Sequence, residues 1–204
     1  MPDPTAFTDR ANWAGSCYEL AVRLAPGADA AAAVRAVWAH PDLTGCYLDN
    51  VAAPGDQRRL APADLHLPGA AHVFGWAGTP AGRMVCATHV VGGGHRGAAD
   101  RVDVCLPVGA LERLVPSLRH PIDGYGQNRS WREPVDVWLA TVADALARAV
   151  PFTVACTGED VSAADLVLDA DGTPPADRGV SVLVPSRRGR GAVRFPPTRW
   201  FTPW

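Results

Sequence analysis

The chain has 204 residues, 48% of them hydrophobic and 20% charged, with a formal net charge of −2. Alanine inflates the apolar share, yet Val, Leu, Ile and Phe alone make up about 22% of the residues, above the roughly 20% below which a chain stays disordered, so a buried core is expected. All 19 basic residues are Arg and none is Lys, which excludes a P-loop lysine, a kinase-type ATP lysine and a Schiff-base lysine.

Near-neutral charge argues against a broad nucleic-acid-binding field, which needs a basic excess on one face. The 23 Val against one Ile run parallel to the Arg bias and read as a bacterial-like coding composition rather than a functional signal. The first ten residues, MPDPTAFTDR, have no basic and apolar leader pattern, and no run approaches the roughly 18 apolar residues of a membrane helix, so a cytoplasmic, membrane-free chain is expected. Five Cys (17, 46, 86, 105 and 156) are odd in number and lack CxxC spacing, and are expected to be reduced, mostly buried thiols.

From the N-terminus, Ser16 to Leu24 alternates, with Tyr18, Leu20, Val22 and Leu24 on one face and Cys17, Glu19, Ala21 and Arg23 on the other: a half-buried strand. After Pro26-Gly27, Asp29 caps an Ala-rich helix, Ala30 to Ala39, carrying Val34, Val37 and Trp38 at helical spacing. Pro41 stops it, and Thr44 to Val51 returns as a strand, giving a β-α-β unit. Residues 52–83 are rich in Pro, Gly, Ala and Asp and read as mainly irregular, with an apolar patch around His72 to Trp76.

Met84 to Val91 and Arg101 to Leu106 read as a hairpin joined by Gly92 to Asp100. If Val91 pairs with Arg101, His89 faces Asp103. A short helix, Val108 to Val115, follows Pro107. Ser130-Trp131-Arg132-Glu133 has the form of a capping box ahead of the stripe Val135, Trp138, Leu139, Val142, Leu146 and Val150, which predicts a long helix. Phe152 to Thr157, Leu166 to Leu168 and Val180 to Val184 are further strand candidates. The sum is one α+β domain over 1–204, an antiparallel or mixed sheet with one long capped helix and one Ala-rich helix on one face, divisible into two β-α-β-like halves at about 1–83 and 84–204.

Gly92 to Gly97 matches the letters G-x-G-x-x-G, but no helix follows to hold a pyrophosphate, so it reads as a hairpin loop. Six His and five Cys show no ligand spacing, and no metal or cofactor is expected. Cys86 and His89, three apart on a strand, fall on opposite faces and make no nucleophile–base pair. His89 with Asp103 reads equally as an oriented imidazole or a cross-strand charge pair.

The best site candidate is the loop before the long helix. There His120 and Asp123 are candidate acid–base groups, and Tyr125, Asn128, Arg129 and Arg132 candidate contacts for an anionic ligand at a helix N-terminus; the competing reading is a solvated loop. The tail, with five Arg among Phe195, Trp200, Phe201 and Trp204, resembles a single-strand nucleic-acid binder or a docked final segment, and the second is preferred.

With no nucleophile, metal or cofactor constellation, the leading expectation is a non-catalytic binding or protein-interaction module, monomeric or homodimeric, for a protein partner or small anionic ligand. Seven Trp beside many Arg support it, since both residue types dominate interface hot spots. The alternative is a small-molecule hydrolase or transferase acting on an anionic substrate at loop 120–133.

Overall fold

The structure is a computed structural model, which describes residues 5–65, 72–92, 101–116, 129–161, 181–185 and 192–196. After α1 (Thr5–Thr8) and a 3-10 turn (Arg10–Trp13), the chain runs β1 (Cys17–Leu24), α2 (Ala30–Trp38), β2 (Leu43–Tyr47), β3 (His72–Thr79), β4 (Gly82–Val91), β5 (Arg101–Pro107), α3 (Val108–Leu114), α4 (Arg129–Ala149), β6 (Phe152–Glu159), β7 (Ser181–Pro185) and β8 (Ala192–Phe195). The strands form one antiparallel sheet in the order β2-β3-β4-β5-β1-β6-β7-β8.

The alternation read in β1 sets the two faces of this sheet. Tyr18, Leu20, Val22 and Leu24 are buried toward α2 and α4, while Cys17, Glu19, Ala21 and Arg23 point the other way. Asp29 caps α2, its carboxylate accepting from the backbone N–H of Ala31 and Ala32, and Val34, Val37 and Trp38 are buried as the helical spacing requires. The α4 stripe of Val135, Trp138, Leu139, Val142, Leu146 and Val150 is buried throughout, and α2 packs against α4.

Chain order and spatial order diverge. β1, α2 and β2 do follow one another, but β5, β4 and β3 stand between the two strands, so the crossover carries β2 to the sheet edge. From there β3, β4 and β5 wind back toward β1. The second crossover, through α3 and α4, passes only over β1, and β6, β7 and β8 then wind outward. Each run is β-α-β-β-β, centred on the β5–β1 pair, but the first returns inward where the second leads outward.

Two sequence expectations are corrected. Within 52–83, read as mainly irregular, His72–Thr79 is a strand, paired to β4 along its length and to β2 from Phe74 to Ala77. Its glycines hid it: a Cβ on Gly75 would lie 2.6 Å from the Trp38 ring and 2.5 Å from the Thr44 carbonyl, so the glycine is required by α2 packing from outside the strand. The cysteines are not all reduced: Cys17 and Cys105, 88 residues apart, form a disulfide, because sheet pairing makes β1 and β5 neighbours. Cys46, Cys86 and Cys156 are buried thiols. The α4 helix is described from Arg129, the side chain of Ser130 lies outside the described residues, and Glu133 makes a two-pronged bond to Arg194 at 2.9 and 3.0 Å. The strand expected at Leu166 to Leu168, the loop 93–100 and the tail from 197 lie outside the described residues.

One buried carboxylate fixes α4 to the sheet. Asp136 is fully buried and accepts from the hydroxyls of Tyr18 on β1, Thr157 on β6 and Ser181 on β7, with the Arg194 guanidinium of β8 at 3.6 Å. Burial and the adjacent Asp136 charge push the Tyr18 hydroxyl up, so it stays a donor.

Asp136→Ala removes the shared acceptor of three buried hydroxyls, and urea unfolding is expected to register a loss of about 3–5 kcal/mol. Gly75→Ala should lower stability by about 1–3 kcal/mol through overpacking against Trp38, whereas Gly55→Ala, with nothing within 4 Å of the added carbon, should leave the thermal midpoint nearly unchanged.

Candidate functional site

On the sheet face away from α2 and α4, the register aligns titratable side chains in a row. His72, His89, Asp103, Ala21 and Cys156 stand directly opposite one another across β3, β4, β5, β1 and β6. The His89–Asp103 pairing is the one expected if Val91 pairs with Arg101, as it does. One step along, Glu19 lies opposite Cys105 and Gly158. Cys86 points to the helix-bearing face, apart from His89, in accord with its odd spacing.

This row is electrostatically tense. Asp103 is 2% exposed; its Oδ2 accepts from Arg101 Nε and Nη2, both at 2.8 Å, while its Oδ1 has no hydrogen-bond partner among the described residues. Burial pushes Asp103 up to about 6 against the pull of Arg101. Burial, then the Asp103 charge, pushes Glu19 up to about 7. Burial, then His72, holds His89 down at about 4, the two rings being 4.5 Å apart between centroids. At neutral pH the row therefore holds a neutral imidazole, a largely ionised Asp103 and a Glu19 near half-protonation, a pattern of displaced acidities that clusters at functional sites.

The N-terminal elements cover the β2–β3 end of the same face. Phe7 packs edge-on to Tyr47 and against Trp76, and Trp13 edge-on to Phe74. Beside them Thr8, Arg10, Trp13, Asn50 and Val51 line a recess of about 270 Å³. Its outer wall is a loop closed on itself. Leu60 N–H donates to the Cys46 carbonyl, Gln57 Nε2 donates to the carbonyls of Asp49 and Ala52, both at 2.8 Å, and Val51 N–H donates to Asp49 Oδ1 at 2.6 Å. On this loop Leu48 is 58% and Val51 72% exposed.

Of the residues singled out at the helix entrance, His120, Asp123, Tyr125 and Asn128 lie outside the described residues, as does the side chain of Arg129. Arg132 is described: its Nε donates to Tyr18 Oη at 2.9 Å and its guanidinium lies over that ring, 5.6 Å from the centroid, joining it to the Asp136 network. The five described Trp all contribute to the core, Trp38, Trp76 and Trp138 buried and Trp13 and Trp131 packed against it, so the abundance of Trp marks packing more than contact surface. From sequence, Glu19 reads as an acid on the first strand where a cleft could form, solvated for want of a partner base; its partners arrive from β5 and from the end of β6.

Among the described residues, no group of three or more His, Cys, Asp or Glu is arranged to hold a metal, and no helix is long and apolar enough to cross a membrane.

Glu19 binds its proton more tightly in the folded state, so its contribution to stability is full below its ordinary value of 4.5 and is lost as the pH rises to about 7. His89 works with the opposite sign, its contribution lost as the pH falls from 6.5 toward 4. Glu19→Gln removes only the first effect. Relative to the parent, the variant should gain about 1 kcal/mol between pH 5 and pH 8, a figure discounted for solvent screening; a difference in urea unfolding free energy that stays flat with pH would overturn this account of Glu19.

Compared with protein-family models, curated proteins and solved structures, the chain matches none.

Proposed function

We propose that this protein is a non-catalytic binding module, cytoplasmic and monomeric or homodimeric, that engages a protein partner through the loop 48–60 and the recess beside it. The observation that carries this reading is the exposure of Leu48 and Val51 on a loop held by its own backbone and side-chain bonds. A loop fixed before binding loses little conformational entropy on contact, so the water-exposed aliphatic side chains contribute directly to affinity. The recess, at about 270 Å³, falls below the roughly 300–1,000 Å³ of clefts that enclose a whole small molecule, and suits a single side chain from a partner. Trp13 supplies its apolar wall, the indole N–H being satisfied by the Phe7 carbonyl at 2.6 Å, and Arg10 and Asn50 supply a polar rim.

The test is quantitative affinity capture from the source cells with the parent protein, the double variant Leu48→Asp/Val51→Asp, and Val193→Asp, which changes a 44% exposed side chain on the far sheet edge. Partners enriched by the parent and by Val193→Asp should drop at least about tenfold with the double variant, in keeping with loss of one or two interface anchors. Equal capture by all three folded proteins would reject the loop as the contact surface.

A further inference from the structure

Independently of the docking loop, the β1–β5 pair brings a carboxyl group against a disulfide. Cys17 and Cys105 are joined diagonally: Cys17 stands opposite Pro107 and Cys105 opposite Glu19. Glu19 is thus two residues from one half-cystine on the same strand face and the direct cross-strand neighbour of the other, a position in which Cβ atoms are about 4.5–5.5 Å apart.

The two sulfurs differ in their surroundings. Cys17, at the start of β1, is half-buried, whereas Cys105 is 2% exposed. Attack by an incoming thiolate is therefore directed at Cys17, with Cys105 as leaving group. A sulfur leaving into that environment is a poor thiolate: on the same sheet face, burial and then the carboxylates of Glu19 and Asp103 push the Cys156 thiol up to about 12. Cleavage consequently calls for a proton delivered at Cys105 as the S–S bond breaks.

We propose that Cys17–Cys105 is a redox-active disulfide opened by an external dithiol, with Glu19 donating the proton to the departing Cys105 sulfur.

The dithiol's thiolate attacks Cys17 Sγ and a mixed disulfide forms there. The Cys17–Cys105 bond breaks, its electron pair goes to Cys105 Sγ, and the Glu19 proton follows. The second thiolate of the reductant then attacks its own sulfur in the mixed disulfide, releasing Cys17, which takes a proton from water. The dithiol leaves as a disulfide, two electrons and two protons have passed to the protein, and Glu19 recovers its proton from solvent. The groups facing Glu19 among the described residues suit a proton donor near neutrality: Asp103 and Arg101 on β5, Asp160 and the Val161 N–H beyond β6, and Cys156 on β6, with neutral His89 behind Asp103.

The test uses the whole oxidised protein and dithiothreitol from pH 5.5 to 8.5, with an acid quench, denaturing alkylation and mass counting of thiols. Before reduction the count should be three, from Cys46, Cys86 and Cys156, and after it five; five at the outset would overturn the proposal. Divided by the reductant's thiolate fraction, the parent rate should be level below pH 7 and fall about tenfold per pH unit above it, as the donor ionises. Glu19→Gln should be at least about tenfold slower below pH 7 and show no break, and Glu19→Asp should restore one. A parent rate without a break near pH 7, or a folded Glu19→Gln reduced at the parent rate, would overturn the role of Glu19. The parent profile decides the matter even if the variant fails to fold.

Discussion

The carboxylate of Asp136 is taken wholly out of water and held by hydroxyls from three strands, with a guanidinium from a fourth close by. A charge buried in this way is costly unless each lone pair is matched, and once matched it tolerates little displacement. Because Tyr18, Thr157, Ser181 and Arg194 lie on β1, β6, β7 and β8, the requirement to satisfy one side chain sets the position of α4 over half the sheet. It also recruits the edge: Arg194 reaches Glu133 of α4 as well as Ser181, tying a four-residue edge strand down through its side chain.

The other face of the same strands is built differently. Asp103 is as deeply placed, yet has an arginine at one oxygen and no hydrogen-bond partner among the described residues at the other, and Glu19 faces two further acids. Where each oxygen of the Asp136 carboxylate has a hydroxyl donor, the Asp103 row is left with displaced acidities and a carboxylate oxygen without a hydrogen-bond partner among the described residues. Sites that are matched hold a fold together, and sites that are not are where a chain keeps chemistry in reserve. The disulfide sits on the tense face, with Glu19 directly across from Cys105.

The two crossovers share one centre, β5 beside β1, which carries the disulfide, Glu19 and Asp103 on one face and Tyr18 with its bond to Asp136 on the other. The N-terminal segment and α3 are fastened to the same region, Val108 N–H to the Ser16 carbonyl and Gly109 N–H to that of Ala14. A carbon on Gly109 would come within 2.2 Å of the Ala11 carbonyl oxygen, so the close approach of helix and turn is reserved for glycine.

Local pattern was enough for β1, α2, the α4 stripe, the β4–β5 register and the faces of Cys86 and His89, since period-2 and period-3.6 burial is written into neighbouring residues and needs no knowledge of the partner. It was not enough where the reason for a residue lies elsewhere in the chain. Gly75 is a strand residue only because Trp38 rests on it, Cys17 finds Cys105 only because β1 inserts beside β5, and Glu133, legible as a cap, bonds to an arginine 61 residues away. The candidate site followed the same rule: His89 and Asp103 were legible as a pair across a hairpin, but Glu19 joined them through long-range pairing. The sequence by itself determined most of the elements, β3 excepted, and which side of each is apolar; the tertiary structure decided which polar side chains share a low-dielectric space, because that depends on strand order, which no local spacing encodes.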